Sequence, residues 1–431
     1  MSEPVNHPDP SFPALHGRPD QGWINDPNGL AVIDGRYHVF FQFNPDAPVH
    51  ADICWGHVSS TDLVRWHQEP IALVPRAGGP DERGCFSGCL VDEGGTPTAV
   101  YTAITHTLYT GVVLATSDRS GTSWVQEDSV LANSDQPRGI GIRDPYLFTF
   151  EGHRYAVQGG GITYGTPRIF LYGCDDLRDW TFLGDLLTFE DSVAAGYAGC
   201  SVWECPNLFE LDGRWVLLAS PLRIEPNRHE HGQVFALIGQ LEQDGDGLRF
   251  HPSSGCPVDV GPSFYAPQVL TDGERRLLWG WTKDLGRSED EIAAAGWTGA
   301  LTFPRELRLV DGVLLSQPAA ELVGLRRELL DPAVGIDAQR SFEIEIEAEI
   351  GDTSTGLRLI LQTDGDSEVV VDIPGDRSAG TRILVDGSII EVFVPDAPPQ
   401  TLRAYPTPSS RWRIEGGARL RIWRLGLPDQ P

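Results

Sequence analysis

Hydrophobic and polar positions alternate in short runs along most of the chain. Between about residues 30 and 305, "RYHVFFQF", "TAVYTAI", "GVVLATS", "RYAVQGG", "RIFLYGC", "RWVLLAS", "VFALIGQL" and "RRLLWGW" are apolar, β-branched or aromatic. The segments "IDGR", "FEGHR", "LDGR" and "TDGE" punctuate them. Such runs between turn residues read as strands, and no long stretch follows the helical period. The pattern changes near residue 305. Leu322, Leu325 and Leu329 have helical spacing, so 306–330 reads as a linker with a short helix at about 319–328. "SFEIEIEAEI" (341–350) then alternates strictly, with Phe342, Ile344, Ile346, Ala348 and Ile350 on one face, a strand with one wet side. "RILVDGSIIEVFV" reads as a hairpin about Asp386–Gly387, and "ARLRIWRL" as a closing strand. These alternating strands predict a β-sandwich over 331–431.

Two series recur at a fixed interval. An acidic residue followed by tryptophan appears at Trp66, Trp124 and Trp180, spaced by 58 and 56 residues. Polar or small residues leading into an apolar strand appear in "NDPNGLAV" (Asp26), "CFSGCLV" (Phe86), "RDPYLFTF" (Asp144), "WECPNLFEL" (Glu204) and "SFYAPQVL" (Phe264). The intervals are 60, 58, 60 and 60. A repeat of about 59 residues holding some four strands is one propeller blade. The expected fold is therefore all-β, a five-bladed β-propeller over 1–305 followed by the sandwich. The second series would form the innermost strands, whose first residues converge on the axis.

Composition sharpens this. Gly and Pro supply 81 of 431 residues and are spread along the chain, which suits many tight turns. The net charge of −28 repels phosphate backbones and anionic lipid, so neither nucleic acid nor a membrane is expected as a partner. Lys283 is the single lysine, which argues against Schiff-base chemistry and lysine-based phosphate binding. The seven cysteines contain no C-x-x-C pair and have no zinc-like spacing with histidine; they read as free thiols in a reducing compartment. The polar, Pro-rich start lacks a signal-peptide pattern, so a cytoplasmic location is expected.

On the propeller reading, Asp26, Asp144 and Glu204 fall at matching blade positions, each followed by Pro directly or one residue later. A lone acid before Pro merely starts a strand. Three on one axis repel unless something offsets the charge, and Arg143 beside Asp144 could do so. Paired carboxyls in different environments serve glycoside hydrolysis. Trp203 and Cys205 flank Glu204, an apolar setting that raises a carboxyl pKa. Asn25, Asn28 and turn N–H groups would keep Asp26 ionised. Sequence context thus leans toward Asp26 as nucleophile and Glu204 as acid/base.

"WINDPNG", "FQFNP", "WGHVSSTDLVRW", "FSG", "RDP", "WECPNLF", "FYAPQ" and "GWTGALTFPREL", in that order, resemble glycoside hydrolase family 32, the invertase, levanase and inulinase group; "ILVDGSIIEVFV" resembles its sandwich signature. The resemblance spans about 20–430. It implies retaining hydrolysis of β-fructofuranosides without metal or cofactor. By residue it implies Asp26 as nucleophile, Glu204 as acid/base, and Asp144 as transition-state stabiliser holding fructose hydroxyls with Arg143. Asn25, Gln42, Trp55, Phe86 and Ser87 would line the fructose pocket, with Tyr265 and Trp281 at the rim. Gln42 and Trp55 also suit pure packing roles, and His57 reads as structural. Ser263 and Asn207 depart from the family's usual aspartates and are expected to alter the rim.

The expected substrate is sucrose or a short fructo-oligosaccharide. Fructosyl transfer, levan or inulin hydrolysis, and cleavage of sucrose 6-phosphate by an arginine-built site are the alternatives. An inactive carbohydrate-binding propeller is the non-enzyme rival. The sequence leaves the oligomeric state open, a dimer through the sandwich included.

Overall fold

The computed structural model describes the chain outside residues 1–6, 106–107, 133–139, 163, 226–227, 332–335, 338–340, 348–355, 376–378, 417–418 and 429–431. It is an all-β protein, and the strands of the described residues form seven sheets of four to six strands. Five of them lie between Gly22 and Pro318 and follow one another in sequence. Each begins with a strand that packs beside the first strand of the next sheet. These five ring strands are Gly22–Ile33, Gly84–Asp92, Ile140–Phe150, Val202–Leu211 and Phe264–Asp272. The fifth packs back on the first, so the order closes on itself.

Local chemistry explains the hairpins. Asp34–Gly35, Glu151–Gly152 and Asp212–Gly213 all have positive φ (47° and 74°, 49° and 86°, 51° and 72°). They form two-residue turns of the mirror-image kind that match strand twist. These are the "IDGR", "FEGHR" and "LDGR" segments of the sequence. Apolar clusters then glue each sheet to the next. Leu171, Trp203 and Phe235 join the third and fourth, Val216 and Leu278 the fourth and fifth, and Phe41 and Trp279 the fifth and first. Trp55 with Tyr101, and Val100 with Phe170, complete the circuit. A short parallel pairing of Trp297–Thr298 with Gly22–Trp23 adds a backbone clasp where the order closes.

All five ring strands share one irregularity. Two residues oppose a single partner at Asn25–Asp26, Phe86–Ser87, Asp144–Pro145, Cys205–Pro206 and Ala266–Pro267. This is a β-bulge, and Pro, which has no N–H for the ladder, suits it. Asp144, Cys205 and Ala266 have φ of 60°, 47° and 45° there.

Residues 306–330, expected as a linker with a helix, are ordered otherwise. Arg305–Val310 and Val313–Pro318 complete the fifth sheet, and Arg326–Leu330 edges the sixth. Only Ala320–Leu325 coils, as a 3₁₀ segment that buries Leu322 and Leu325. Apolar residues two apart on strands outweighed the helical spacing. The sixth and seventh sheets share a core of Phe342, Ile344, Leu359, Ile390 and Trp412. The strand expected over 341–350 runs Phe342–Ile346; residues 348–350 lie outside the described residues.

A buried polar knot ties this C-terminal part to the ring. Arg305, fully buried, donates from Nε and Nη2 to Glu391 (2.8 and 2.6 Å) and from Nη1 to Asp259 (2.8 Å). Glu391 also accepts from the Phe303 N–H (2.8 Å) and meets His16 at 3.3 Å. The N-terminal segment is seated on the same region. The Leu15 N–H (2.8 Å) and His16 Nδ1 (2.7 Å) reach Asp386, and the Ser388 N–H donates to the Ser11 carbonyl. All seven cysteines are free and buried. No helix among the described residues is long and apolar enough to cross a membrane.

Candidate active site

The bulges gather the candidate acids. Asp26 accepts hydrogen bonds from Ser87 Oγ (2.6 Å), Asn25 Nδ2 (3.1 Å) and Gln42 Nε2 (3.2 Å). Gln42 also donates to Ser87, and Trp23 Nε1 fixes Asn25 Oδ1 at 2.7 Å. Cys205 Sγ lies 3.5 Å from both Asp26 and Asp144, and the bulged Cys205 N–H donates to Asp144 Oδ2 at 3.0 Å. The bulged Asp144 N–H donates in turn to Thr102 Oγ1 (2.8 Å). Backbone donors released from the ladder are thus spent on side chains of the neighbouring sheets.

Glu204 is held by Arg143, whose Nε donates to Oε1 at 2.9 Å and whose Nη2 reaches the same oxygen. The Tyr265 hydroxyl donates to Oε2 at 2.7 Å. Arg143 clasps Glu204 and also lies 3.8 Å from Asp144, so it offsets the repulsion among the acids as expected. One expectation needs correction: the three acids do not share one register. Glu204 precedes its bulge, Asp144 opens its own, and Asp26 is the second residue of the first. A bulge turns successive residues toward one side, so three registers converge where an ideal strand would alternate them.

The charge pattern also differs from expectation. Burial, reinforced by the charge on Glu204, pushes Asp26 up to about 6 despite the bonds from Ser87 and Asn25. Burial likewise pushes Asp144 up to about 7, with Arg143 opposing and the other two acids adding. Burial would raise Glu204 too, but Arg143 and Tyr265 bring it below its ordinary value. Trp203 does not supply the apolar setting expected for Glu204. Its ring faces the opposite side of the strand, fully enclosed, with Nε1 on the Tyr197 carbonyl.

Of the other candidates, Asn25, Gln42, Ser87, Arg143 and Tyr265 touch the acids directly. Trp55 is 1% exposed, and its indole N–H holds the Phe86 carbonyl at 3.1 Å, so it sets the second bulge from behind. Phe86 packs edge-on against His50. Trp281 joins an aromatic group with Trp23, His231 and Tyr265. His57 pairs with His38 at 2.9 Å under Phe40, away from the acids. Asn207 and Ser263 are buried and do not form the rim. Asn207 ties the Cys205 and Pro267 carbonyls, both at 3.0 Å, and the Ser263 carbonyl receives the Lys283 N–H.

Sequence reasoning passed over Trp23, His50, Cys205, His231 and Lys283 as site residues. Trp23 and Cys205 sit inside the quoted motifs. Nothing local marks the two histidines, which arrive from loops and a short hairpin.

The model of the glycosyl hydrolases family 32 N-terminal domain matches residues 16–318. The chain belongs to glycoside hydrolase family 32. It is similar to a sucrose-6-phosphate hydrolase of Zymomonas mobilis, 30% identical over 91% of this chain and 85% of that protein. It is also similar to a raffinose invertase of Escherichia coli, 30% identical over 93% and 90%. Among solved structures, a family 32 β-fructofuranosidase of Bombyx mori superposes with a TM-score of 0.80, at 26% identity over 97% of this chain and 94% of that one. Family 32 membership makes this protein a glycoside hydrolase, and the acids gathered at the bulges are its candidate machinery.

Proposed function

We propose that this family 32 enzyme is a retaining β-fructofuranosidase acting on sucrose-type substrates. The observation carrying this reading is the convergence of Asp26, Asp144 and Glu204, linked through Cys205 and Arg143. Asp26 attacks the anomeric carbon of fructose as Glu204 gives a proton to the departing oxygen, leaving a fructosyl ester. Water, deprotonated by Glu204, then cleaves the ester. Asp144 and Arg143 hold fructose hydroxyls, with Asn25, Gln42, Ser87 and Phe86 around the ring. The five N-terminal sheets act as propeller blades ending at Pro318, and the two C-terminal sheets as a sandwich. Seven free thiols favour a reducing, cytoplasmic location.

The names of the relatives favour a phosphorylated disaccharide over neutral sucrose. A panel of sucrose, sucrose 6-phosphate, kestose, raffinose, inulin and levan, with sugar products identified at low and high substrate, tests both hydrolysis and preference. Fructose release from the small substrates is expected. Activity confined to levan or inulin would overturn the reading.

The acids also set a pH window. Attack needs an ionised Asp26 together with one proton available to Glu204. With Asp26 near 6 and Asp144 near 7, the trio holds that shared proton only between these values. The plot of kcat/KM against pH is expected to be bell-shaped, falling below about 6 and above about 7. A flat profile from pH 5 to 9 would contradict this charge arrangement.

A further inference from the structure

A pocket opens beside Glu204. It has a volume of about 450 Å³, and its lining includes Arg223, Arg228, His229, Glu230, His231 and Lys283. In a chain of net charge −28 this is a local concentration of cations, and it holds the only lysine. The link to the acids is Tyr265. Its hydroxyl donates to Glu204 and also lies 3.0 Å from the carbonyl of Pro221, another wall of the pocket. The His231 ring packs 4.3 Å from the Tyr265 ring, and Lys283 Nζ lies 5.3 Å from its centre. None of the side chains around Asp26 lines this pocket, so it sits on the proton-donating side of the site.

The cations are not equally committed. Arg228 pairs with Glu230 at 2.8 Å, and Arg223 with Glu225 at 2.6 Å and with Glu230 at 3.9 Å. A guanidinium has five N–H donors, so one carboxylate leaves others available. Lys283 faces no carboxylate in an ion pair among the described residues. Burial lowers its ammonium to about 8, an unfavourable setting for a charge that an anion beside it would relieve. Burial, against the opposing charge of Glu204 and with Lys283, His229 and His50 adding, brings His231 down to about 4, so it enters as a neutral N–H donor at pH 7.

We propose that this pocket binds the phosphate of a phosphorylated hexose in the leaving-group position. Lys283 and Arg228 supply charge, and His229 and His231 supply hydrogen bonds. The proposal rests on the hydrolase reading above and extends it to the far side of the scissile bond. It also reverses the expectation that a single lysine argues against phosphate, because that lysine stands here.

Two measurements test it. In the first, kcat/KM for sucrose 6-phosphate and for sucrose is compared in the wild type, Lys283→Met and Arg228→Ala. The ratio between two substrates on one preparation does not depend on the fraction folded. It is expected to exceed tenfold in the wild type and to fall at least tenfold in Lys283→Met. Equal turnover of both substrates, or a ratio unchanged by the substitution, overturns the proposal.

The second uses calorimetry on the Asp26→Ala protein with glucose 6-phosphate, glucose and inorganic phosphate. Glucose 6-phosphate is expected to bind at least tenfold more tightly than the other two. If inorganic phosphate binds equally well, the pocket is a general anion site and the leaving-group assignment fails. Tight binding of glucose 6-phosphate by an enzyme that cleaves neither sucrose would sink the hydrolase reading and keep the pocket.

Discussion

Replacing Asp26 by asparagine is expected to lower kcat by a factor of about 10⁵, the scale seen when a catalytic nucleophile is removed. It is also expected to stabilise the fold. Asparagine keeps the shape, and its oxygen can still accept from Ser87 and Gln42; its NH2 then faces the Asn25 Nδ2 donor, so that one bond is lost while the buried charge disappears. The sign follows from burial. The Asp26 carboxyl titrates near 6 when folded, above an ordinary aspartate, so ionising it destabilises the native state. That penalty is fully present above about pH 6 and absent below about pH 4. At about 1.4 kcal/mol per unit, discounted for partial exposure, the asparagine variant should gain about 2 kcal/mol at pH 8. Melting curves of both proteins at pH 8 and pH 4 would show it: a higher midpoint for the variant at pH 8 and coincidence at pH 4. An equal or lower midpoint at pH 8 would mean that Asp26 is not held at an energetic cost. A variant retaining wild-type turnover would exclude Asp26 as nucleophile.

Arg305→Met is expected to be the most damaging change outside the site. Methionine matches the apolar stem but removes the guanidinium, whose carbon lies 5.2 Å from both the Phe264 and Phe393 ring centres, and it leaves Glu391 and Asp259 buried without their cation. Burial by itself would raise Glu391, and Arg305 and His16 hold it below its ordinary value. Losing one partner of such a buried network costs about 3–5 kcal/mol. Because the knot joins the C-terminal sheets to the ring, denaturation followed by intrinsic tryptophan fluorescence should shift by several degrees. Arg305→Lys keeps a charge but lacks the fork that reaches both carboxylates, so it should recover only part of the loss. If the methionine variant melted with the wild type, the knot would contribute nothing to cohesion.

The sequence made the chemistry more legible than the geometry. The 60-residue interval follows from five strands that each open a sheet and pack beside the next, and four of the five bulges hold or directly precede a proline, whose missing N–H is tolerated there. Asp26, Asp144 and Glu204 could be found from that alone. Their order around the bulge could not, because a one-residue offset is invisible in an interval of 58 to 60. Arg143 was legible as the cation that offsets the acids, but its hydrogen bonds to Glu204, 61 positions away, were not. The knot of Arg305, Asp259, Glu391 and His16 left no signal, since each member comes from a different segment. A local signal was missed as well. Ser288 and Glu291 form a capping box that starts the short helix Glu289–Ala295.

The seating of residues 11–16 on Asp386, Ser388 and Glu391 bears on how the chain is made. The segment that leads into the first ring strand finds its hydrogen-bond partners about 370 residues later. Translation runs from N- to C-terminus, so residues 11–16 are made about 370 residues before their dock. They therefore wait unsatisfied while the five ring sheets are synthesised. Fragments stopped before residue 386 should leave residues 11–16 open to protease, whatever the state of the sheets already assembled.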